Sequence, residues 1–190
     1  MVTESALTDA PPTDMRRPSR RRWWGRVLSW GAIVGIVLGI GAVTSTVLFP
    51  EQVERVYGSM QKEVGAFRID VLGEVPRVTL GASGGLSELN RCDGTFTEMR
   101  SYEHEGVPPI WAAHNNCGGD VVLPWRVGTE VIVVRDGEEQ RFVVADVRIT
   151  PKTWATIDDL IGLGGEFGLQ SCFYGENRMK FIGLEPVTKE

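Results

Sequence analysis

The chain has few of the residues that usually mark a metal or nucleotide site. Its 190 residues include only three cysteines and two histidines. The cysteines, Cys92, Cys117 and Cys172, lack the paired C-x-x-C spacing that is typical of zinc sites. The glycine-rich segment 81–85 lacks the lysine and the following hydroxyl residue of a phosphate-binding loop. The sequence therefore predicts no metal site and no organic cofactor.

The chain also has no excess of positive charge, since its formal net charge is −5. Six arginines lie within residues 1–26 against three acidic residues, so the rest of the chain is strongly acidic. A protein that binds nucleic acid needs a basic surface to displace counterions from the phosphates. We therefore expect no nucleic-acid partner.

One long uncharged run follows the arginines, from Val27 to Phe49. A helix of this length crosses a hydrocarbon core of about 30 Å. Arginines before the span keep the amino terminus in the cytoplasm, and a cleaved signal peptide would have a shorter run ending in a small-residue cleavage site. The sequence thus predicts a disordered basic cytoplasmic tail (1–26) and an uncleaved transmembrane anchor (27–49). The protein would be a single-pass protein of the cell membrane with its C-terminal domain extracellular.

The remaining chain divides by the spacing of its apolar residues. Residues 50–65 repeat apolar positions at helical spacing and predict an amphipathic stalk. Residues 66–190 predict a mainly β domain with an Asp136-Gly137 hairpin turn and one helix within Pro151–Ile161. The candidate strands are Phe67–Leu72, Arg77–Leu80, Ile110–His114, Glu130–Val134, Arg141–Ile149, Phe167–Ser171 and Met179–Leu184.

Three residues of this domain suggest nucleophilic chemistry. Cys172 and His114 each end an apolar run, and Arg178 follows the cysteine closely. A thiolate attacks carbonyl carbon, an imidazole can stabilise it and later protonate the leaving amine, and a guanidinium can hold an oxyanion. His104 lies in a charged segment that is typical of a solvated loop.

The odd number of cysteines leaves at least one unpaired on the oxidising side of a membrane. We favour a disulfide between Cys92 and Cys117, because it leaves Cys172 as a free thiol. The alternative, Cys117 with Cys172, would make either a redox-gated enzyme or an inert structural bridge. Connectivity cannot be derived from sequence alone.

The ordered blocks resemble the sortases, which are cysteine transpeptidases of Gram-positive envelopes. The likeness is sharpest at Pro109–Asn115, with an Ile-x-Ala-x-His strand end, and at Gly168–Leu184, with Leu-x-Ser-Cys followed by arginine. It implies a closed eight-stranded sortase-like β-barrel with one or two short helices, after a single transmembrane helix. It also implies Cys172 as nucleophile, His114 as general acid/base and Arg178 as transition-state stabiliser.

Further expectations follow from the resemblance. The family cleaves a Leu-Pro-x-Thr-Gly sorting signal of a surface protein through a cysteine thioester and transfers it to an amine of peptidoglycan or of a pilin. It uses no metal or organic cofactor, although calcium modulates some members. The residues beside the nucleophile and the histidine are the candidates for the substrate groove: Ser171, Leu169, Ala113 and Asn115.

The chain departs from the family pattern beside the nucleophile. Gly168 and Ser171 replace the two threonines of the usual Thr-Leu-x-Thr-Cys, and Cys172 and Arg178 are closer together than is typical. These changes bear on substrate choice more than on the type of reaction. The alternative is a non-catalytic extracellular binding or assembly domain on the same barrel, with Cys172 in a structural or redox disulfide.

Overall fold

A computed structural model describes residues 48–188, together with Trp30, Ile36 and Gly39. Two compact units divide the chain, Met1–Ser45 and Thr46–Glu190, and the fold below is that of the second unit. The predicted tail and nearly all of the predicted anchor lie outside the described residues. No helix in the described part of the chain has both the length and the apolar character needed to span a membrane.

Helix α1 covers Pro50–Asp70 and packs along one side of the β domain. The proline at its start fits the first helical turn, where its missing N–H has no role. A side chain on Gly65 would collide with Pro124, so a glycine lets the helix approach closely. An ion pair between Asp70 and Arg126 joins the end of α1 to the domain.

Seven strands close into one barrel in the order β1-β2-β3-β6-β7-β5-β4. Parallel pairing between β1 and β4 completes the closure, and the short helix α2 (Leu86–Leu89) connects β1 to β2. The strands are β1 (Arg77–Gly84), β2 (Phe96–Met99), β3 (Ile110–Ala112), β4 (Glu130–Arg135), β5 (Glu138–Pro151), β6 (Phe167–Cys172) and β7 (Arg178–Pro186).

The core has two parts, one inside the barrel and one on its outer face. The inner part contains Trp125, Phe142, Leu169 and Ile182, which are almost completely buried. The outer cluster consists of Ile110, Leu160, Leu163 and Phe181, packed with Tyr102, Val107, Ile157 and Met179. Side chains alternate along a strand, so neighbouring residues of β6 and β7 serve different parts of the core.

The resemblance implied eight strands, whereas the barrel in the described residues has seven. Of the candidate strands, Phe67–Leu72 was wrong, because it lies at the end of α1 and in the turn that follows. The amide of Val71 still donates a helical hydrogen bond to the carbonyl of Phe67, and Gly73 with a φ of +65° follows. The structure adds β2 (Phe96–Met99), whose four residues are too short for a clear alternating pattern.

The helix predicted within Pro151–Ile161 is also absent from the described structure. Pro151 still pairs with Arg178 at the end of β5, and Trp154 has a φ of +77° that no α-helix accommodates. Only Ile157–Leu160 forms a single 3₁₀ turn. The hairpin at Asp136-Gly137 is confirmed, since both residues have positive φ between the antiparallel strands β4 and β5.

Candidate active site

Cys172 and His114 leave the barrel side by side. Strands β3 and β6 are parallel neighbours with Ala112 paired to Gln170, and His114 and Cys172 each follow two residues later. The amide of Ala113 donates a 3.1 Å hydrogen bond to the carbonyl oxygen of Gln170, which continues the pairing beyond the strand. Parallel strands in register bring equivalent residues to the same edge and the same face. The register therefore places the predicted thiol and imidazole at the same edge of the sheet.

The side chain of Cys172 lies on the outer face of the barrel. Gln170, on the same face of β6, has its Nε2 3.6 Å from the cysteine sulfur, and Met179 pairs with Cys172 across the β6–β7 ladder. Met179 packs against the outer cluster. All three cysteines are among the described residues, and Cys172 is a half-buried free thiol.

A small cavity lies on this face. Tyr102 lines it and is close enough to Cys172 to be affected by its charge. Burial, and to a lesser degree the nearby negative charge of a Cys172 thiolate, raise the pKa of the Tyr102 hydroxyl. The Tyr102 ring stands edge-on to Phe181, with 5.7 Å between the ring centroids. The cavity measures about 110 Å³, and Tyr102, Thr150, Met179 and Phe181 line it. Its walls are mixed, because the polar side chains of Ser101, Thr156 and Asp159 lie beside the apolar ones.

Packing explains why residue 168 is a glycine and not the threonine that the family pattern has there. A Cβ atom at this position would lie 2.6 Å from Cδ1 of Ile110 and 3.0 Å from Cδ2 of Leu163. Threonine would therefore collide with the outer cluster unless both side chains moved. Glycine at this position therefore allows β6 to pack tightly against the segment that follows β5.

His114 is held from two sides. Its Nε2 lies 2.8 Å from Oδ1 of Asn90, and its carbonyl oxygen accepts hydrogen bonds from the amides of Cys117 (2.9 Å) and Gly119 (3.0 Å). The structure contains the disulfide Cys92–Cys117, with 5.0 Å between the Cα atoms, rather than a bridge to Cys172. This disulfide joins the loop after Asn90 to the turn after His114.

Arg178 is not on the face that carries the thiol. Its carbonyl oxygen accepts from the amide of Phe173, so its side chain alternates with that of Met179 and lies on the opposite side of the hairpin. The guanidinium is 4.8 Å from the ring centroid of Phe173, and its Nε donates a 2.6 Å hydrogen bond to Glu176. The side chain is 51% exposed. The structure therefore places two of the three predicted catalytic residues at the same edge of the sheet.

Three of the four predicted groove residues point into the barrel instead of lining a groove. Leu169 and Ser171 are completely buried, and Ala113 is 4% exposed. The hydroxyl of Ser171 donates a 3.0 Å hydrogen bond to the carbonyl of Ala113, which satisfies it within the core. Asn115 begins a 3₁₀ turn, and its carbonyl oxygen accepts a hydrogen bond from the Tyr174 hydroxyl. Alternation explains this outcome, since neighbours of an outward cysteine must point inward.

Sequence reasoning missed Asn90, Tyr102 and Gln170. The position of Gln170 could have been found, because a residue two places before Cys172 shares its face. Asn90 and Tyr102 come from distant loops, and no local pattern marks them. No three histidine, cysteine or acidic side chains in the described part of the chain are grouped so as to hold a metal ion.

No family model matches the sequence, and no curated protein is similar to it. Solved structures with a similar fold include "Sortase C1 of GBS Pilus Island 1", with a TM-score of 0.44 and 12% identity over 57% of each chain. Sortase C-1 of Actinomyces oris has a TM-score of 0.44 and 15% identity, covering 58% of this chain and 68% of its own. Sortase A of Listeria monocytogenes has a TM-score of 0.39 and 17% identity, covering 58% and 83%.

The match therefore spans just over half the length of the GBS sortase C1. At these identities and TM-scores, the likeness defines neither an activity nor a substrate for this chain.

Proposed function

We propose that this protein is a sortase-like cysteine transpeptidase in which Cys172 is the nucleophile and His114 the general acid/base. The single observation that carries the proposal is the pairing of β3 with β6, which delivers an imidazole and a free thiol to the same outer edge. The Cys92–Cys117 disulfide supports it, because it consumes the other two thiols. An unpaired thiol beside an imidazole is the arrangement that nucleophilic acyl transfer needs.

The proposed reaction has two halves. His114 takes the proton of the Cys172 thiol, and the thiolate attacks a peptide carbonyl to form a tetrahedral intermediate. The C–N bond breaks, His114 protonates the leaving amine, and a thioester remains on Cys172. A second amine then attacks the thioester carbon, His114 removes its proton, and the regenerated thiolate leaves. One amide bond is broken and another formed, so the reaction needs no oxidant or reductant.

Arg178 can take part in the proposed reaction only if its side chain rotates. To stabilise the oxyanion, its guanidinium has to leave Glu176 and Phe173 and turn over the end of the hairpin. Its place as the first residue of β7 and its half-exposed side chain allow this rotation. We therefore assign Arg178 a smaller share of catalysis than His114.

The proposed substrate is a surface protein with a C-terminal sorting signal of Leu-Pro-x-Thr-Gly type, and the proposed acceptor is an amine of peptidoglycan or a pilin. Tyr102, Met179 and Phe181 form the apolar part of the cavity wall, which supports an aliphatic residue in the signal. Residues 27–49 would anchor the chain in the cell membrane with the barrel outside, where these partners occur.

The test combines the full chain with a panel of Leu-Pro-x-Thr-Gly-type peptides and a small amine. Mass spectrometry should detect an acyl-enzyme on Cys172 and a peptide–amine product, and Cys172→Ala should form neither. Thr79→Ala, at an exposed position of β1, a strand that pairs with neither β3 nor β6, is the control and should behave as wild type. Equal turnover by wild type and Cys172→Ala would contradict the proposal.

The non-catalytic alternative is not favoured by any contact of Cys172. That reading requires Cys172 in a disulfide, whereas its sulfur is free and Cys92 and Cys117 bond to each other. Thiol labelling of the native full chain, before and after reduction, separates the two readings. The transpeptidase proposal expects one reactive thiol before reduction, at Cys172.

A further inference from the structure

We propose that Asn90 is a positioning residue that fixes the imidazole of His114 for proton exchange with Cys172. The inference rests on the proposed function of those two residues and adds a third group to it. Asn90 lies 24 positions before His114 and belongs to a different loop, so nothing in the local sequence links them.

The hydrogen bond between the two side chains decides which ring nitrogen carries the proton in the neutral imidazole. Nε2 of His114 is 2.8 Å from Oδ1 of Asn90. An amide oxygen can only accept, so Nε2 must carry a proton. In the neutral imidazole, Nδ1 then has the free lone pair and is the nitrogen available to take a proton from the Cys172 sulfur. A base that is oriented by a third group is the usual arrangement behind an activated nucleophile.

The amide oxygen also matters after the proton has moved. The imidazolium formed by proton transfer donates through both nitrogens, and its bond to Asn90 becomes charge-assisted and therefore stronger. Asn90 thus stabilises the charged state more than the neutral one. Because the amide is itself neutral, it provides this without adding a negative charge beside the thiolate.

Short tethers hold both partners of this bond. Asn90 caps helix α2, where its amide donates a 2.9 Å hydrogen bond to the carbonyl of Leu86. Cys92 follows Asn90 by two residues and Cys117 follows His114 by three, and the disulfide joins them. A Cβ atom on Gly118 would lie 3.9 Å from Gly94, so the two loops also lie close together there. The disulfide therefore keeps Asn90 within reach of the imidazole.

The test measures the reactivity of the thiol and needs no peptide substrate. Iodoacetamide alkylates only the thiolate, and Cys172 is the free cysteine of the chain, so the alkylation rate at pH 7 reports how well His114 stabilises the thiolate. In the full chain, Asn90→Ala should lower this rate, and kcat/KM with the peptide panel, about 10- to 100-fold, as expected for a hydrogen bond to a charged group. Asn90→Asp retains the acceptor oxygen and should restore most of the rate.

Two controls separate positioning from a general structural effect. Asn116→Ala removes an exposed amide from the turn after His114 and should behave as wild type. In a His114→Ala background, Asn90→Ala should have no further effect, because its influence passes through the imidazole. Thermal unfolding of each variant measures folding independently.

The outcomes distinguish this inference from the proposed function. Two results would overturn the role of Asn90, even if peptide transfer depends on Cys172. One is a wild-type alkylation rate in the Asn90→Ala variant, and the other is an equal loss of rate from Asn90→Ala with and without His114. An alkylation rate that depends on Asn90 through His114, without any peptide transfer, would support the positioning role and count against the proposed transpeptidation.

Discussion

The two faces of the β6–β7 hairpin carry different kinds of polar residue. On the outer face, Cys172 is half-buried beside Gln170 and Met179. On the inner face, Ser171 and Lys180 pair with each other across the ladder and are bonded to backbone carbonyls inside the barrel. Polar groups that reach solvent are available for chemistry, whereas fully satisfied buried groups hold the backbone in place.

The contrast also explains the difference between His114 and Arg178. Both were predicted from sequence as partners of Cys172. His114 lies at the outer edge with the thiol, and Arg178 is bonded to Glu176 on the opposite side. Proximity along the chain is therefore a poor guide here, because adjacent positions on a strand face opposite directions.

The largest effect that we expect is on activity, from His114→Ala on the outer face. Loss of the general acid/base should reduce kcat/KM about 10²- to 10⁴-fold. The side chain is half-buried at a strand end, so the free energy of unfolding should change little. Peptide turnover and chemical denaturation measure the two quantities. A large loss of stability without loss of turnover would contradict the division between the faces.

The next effect concerns stability and comes from Lys180 on the inner face. Burial, and then the charge of Lys62, lower its pKa to about 8, and its ammonium donates a 2.8 Å hydrogen bond to the carbonyl of Leu123. Below pH 8 the residue is charged in the folded and the unfolded state. Between about pH 8 and 10.5 the folded protein loses this proton and the unfolded chain retains it. The contribution of Lys180 to the free energy of unfolding therefore rises with pH.

Between about pH 8 and 10.5, the contribution of Lys180 to the free energy of unfolding should rise by at most about 3 kcal/mol. Urea denaturation of wild type and Lys180→Met at several pH values isolates it, because other titrating groups cancel in the difference. Lys62→Met, which keeps the buried lysine, is the control and should retain most of the slope. An identical pH dependence in wild type and Lys180→Met would mean that Lys180 does not titrate there.

The smallest effect on activity is expected from substituting Arg178. This residue tests whether the two faces of the hairpin really differ in function. If its guanidinium turns over the end of the hairpin to reach the oxyanion, Arg178→Ala should lower kcat about tenfold, less than the loss of a fixed oxyanion donor. Glu176→Gln weakens its present ion pair and should raise kcat slightly. Steady-state kinetics on both variants test this. Wild-type kcat in Arg178→Ala would show that this residue belongs to the inner face in function as well as in position.

Local patterns predicted much of the barrel. Alternating residues and an Asp-Gly turn located β4 and β5, because their signals come from neighbouring residues. The same reasoning failed for Phe67–Leu72 and for the segment after Pro151. In the first case a helix simply continued, and in the second a strand ended late and Trp154 adopted a positive φ. Short apolar runs do not distinguish a strand from the last turn of a helix.

The sequence by itself determined the chemical inventory: a thiol and an imidazole at the ends of two apolar strands, and an odd number of cysteines that leaves one free. Only the tertiary structure decided the partners. Parallel pairing of β3 and β6 placed His114 at the same edge as Cys172, strand alternation turned Arg178 and Ser171 away, and loop packing placed Asn90 against the imidazole. The reason is that residue type and spacing are local, whereas register, face and loop contacts arise only when distant segments pack together.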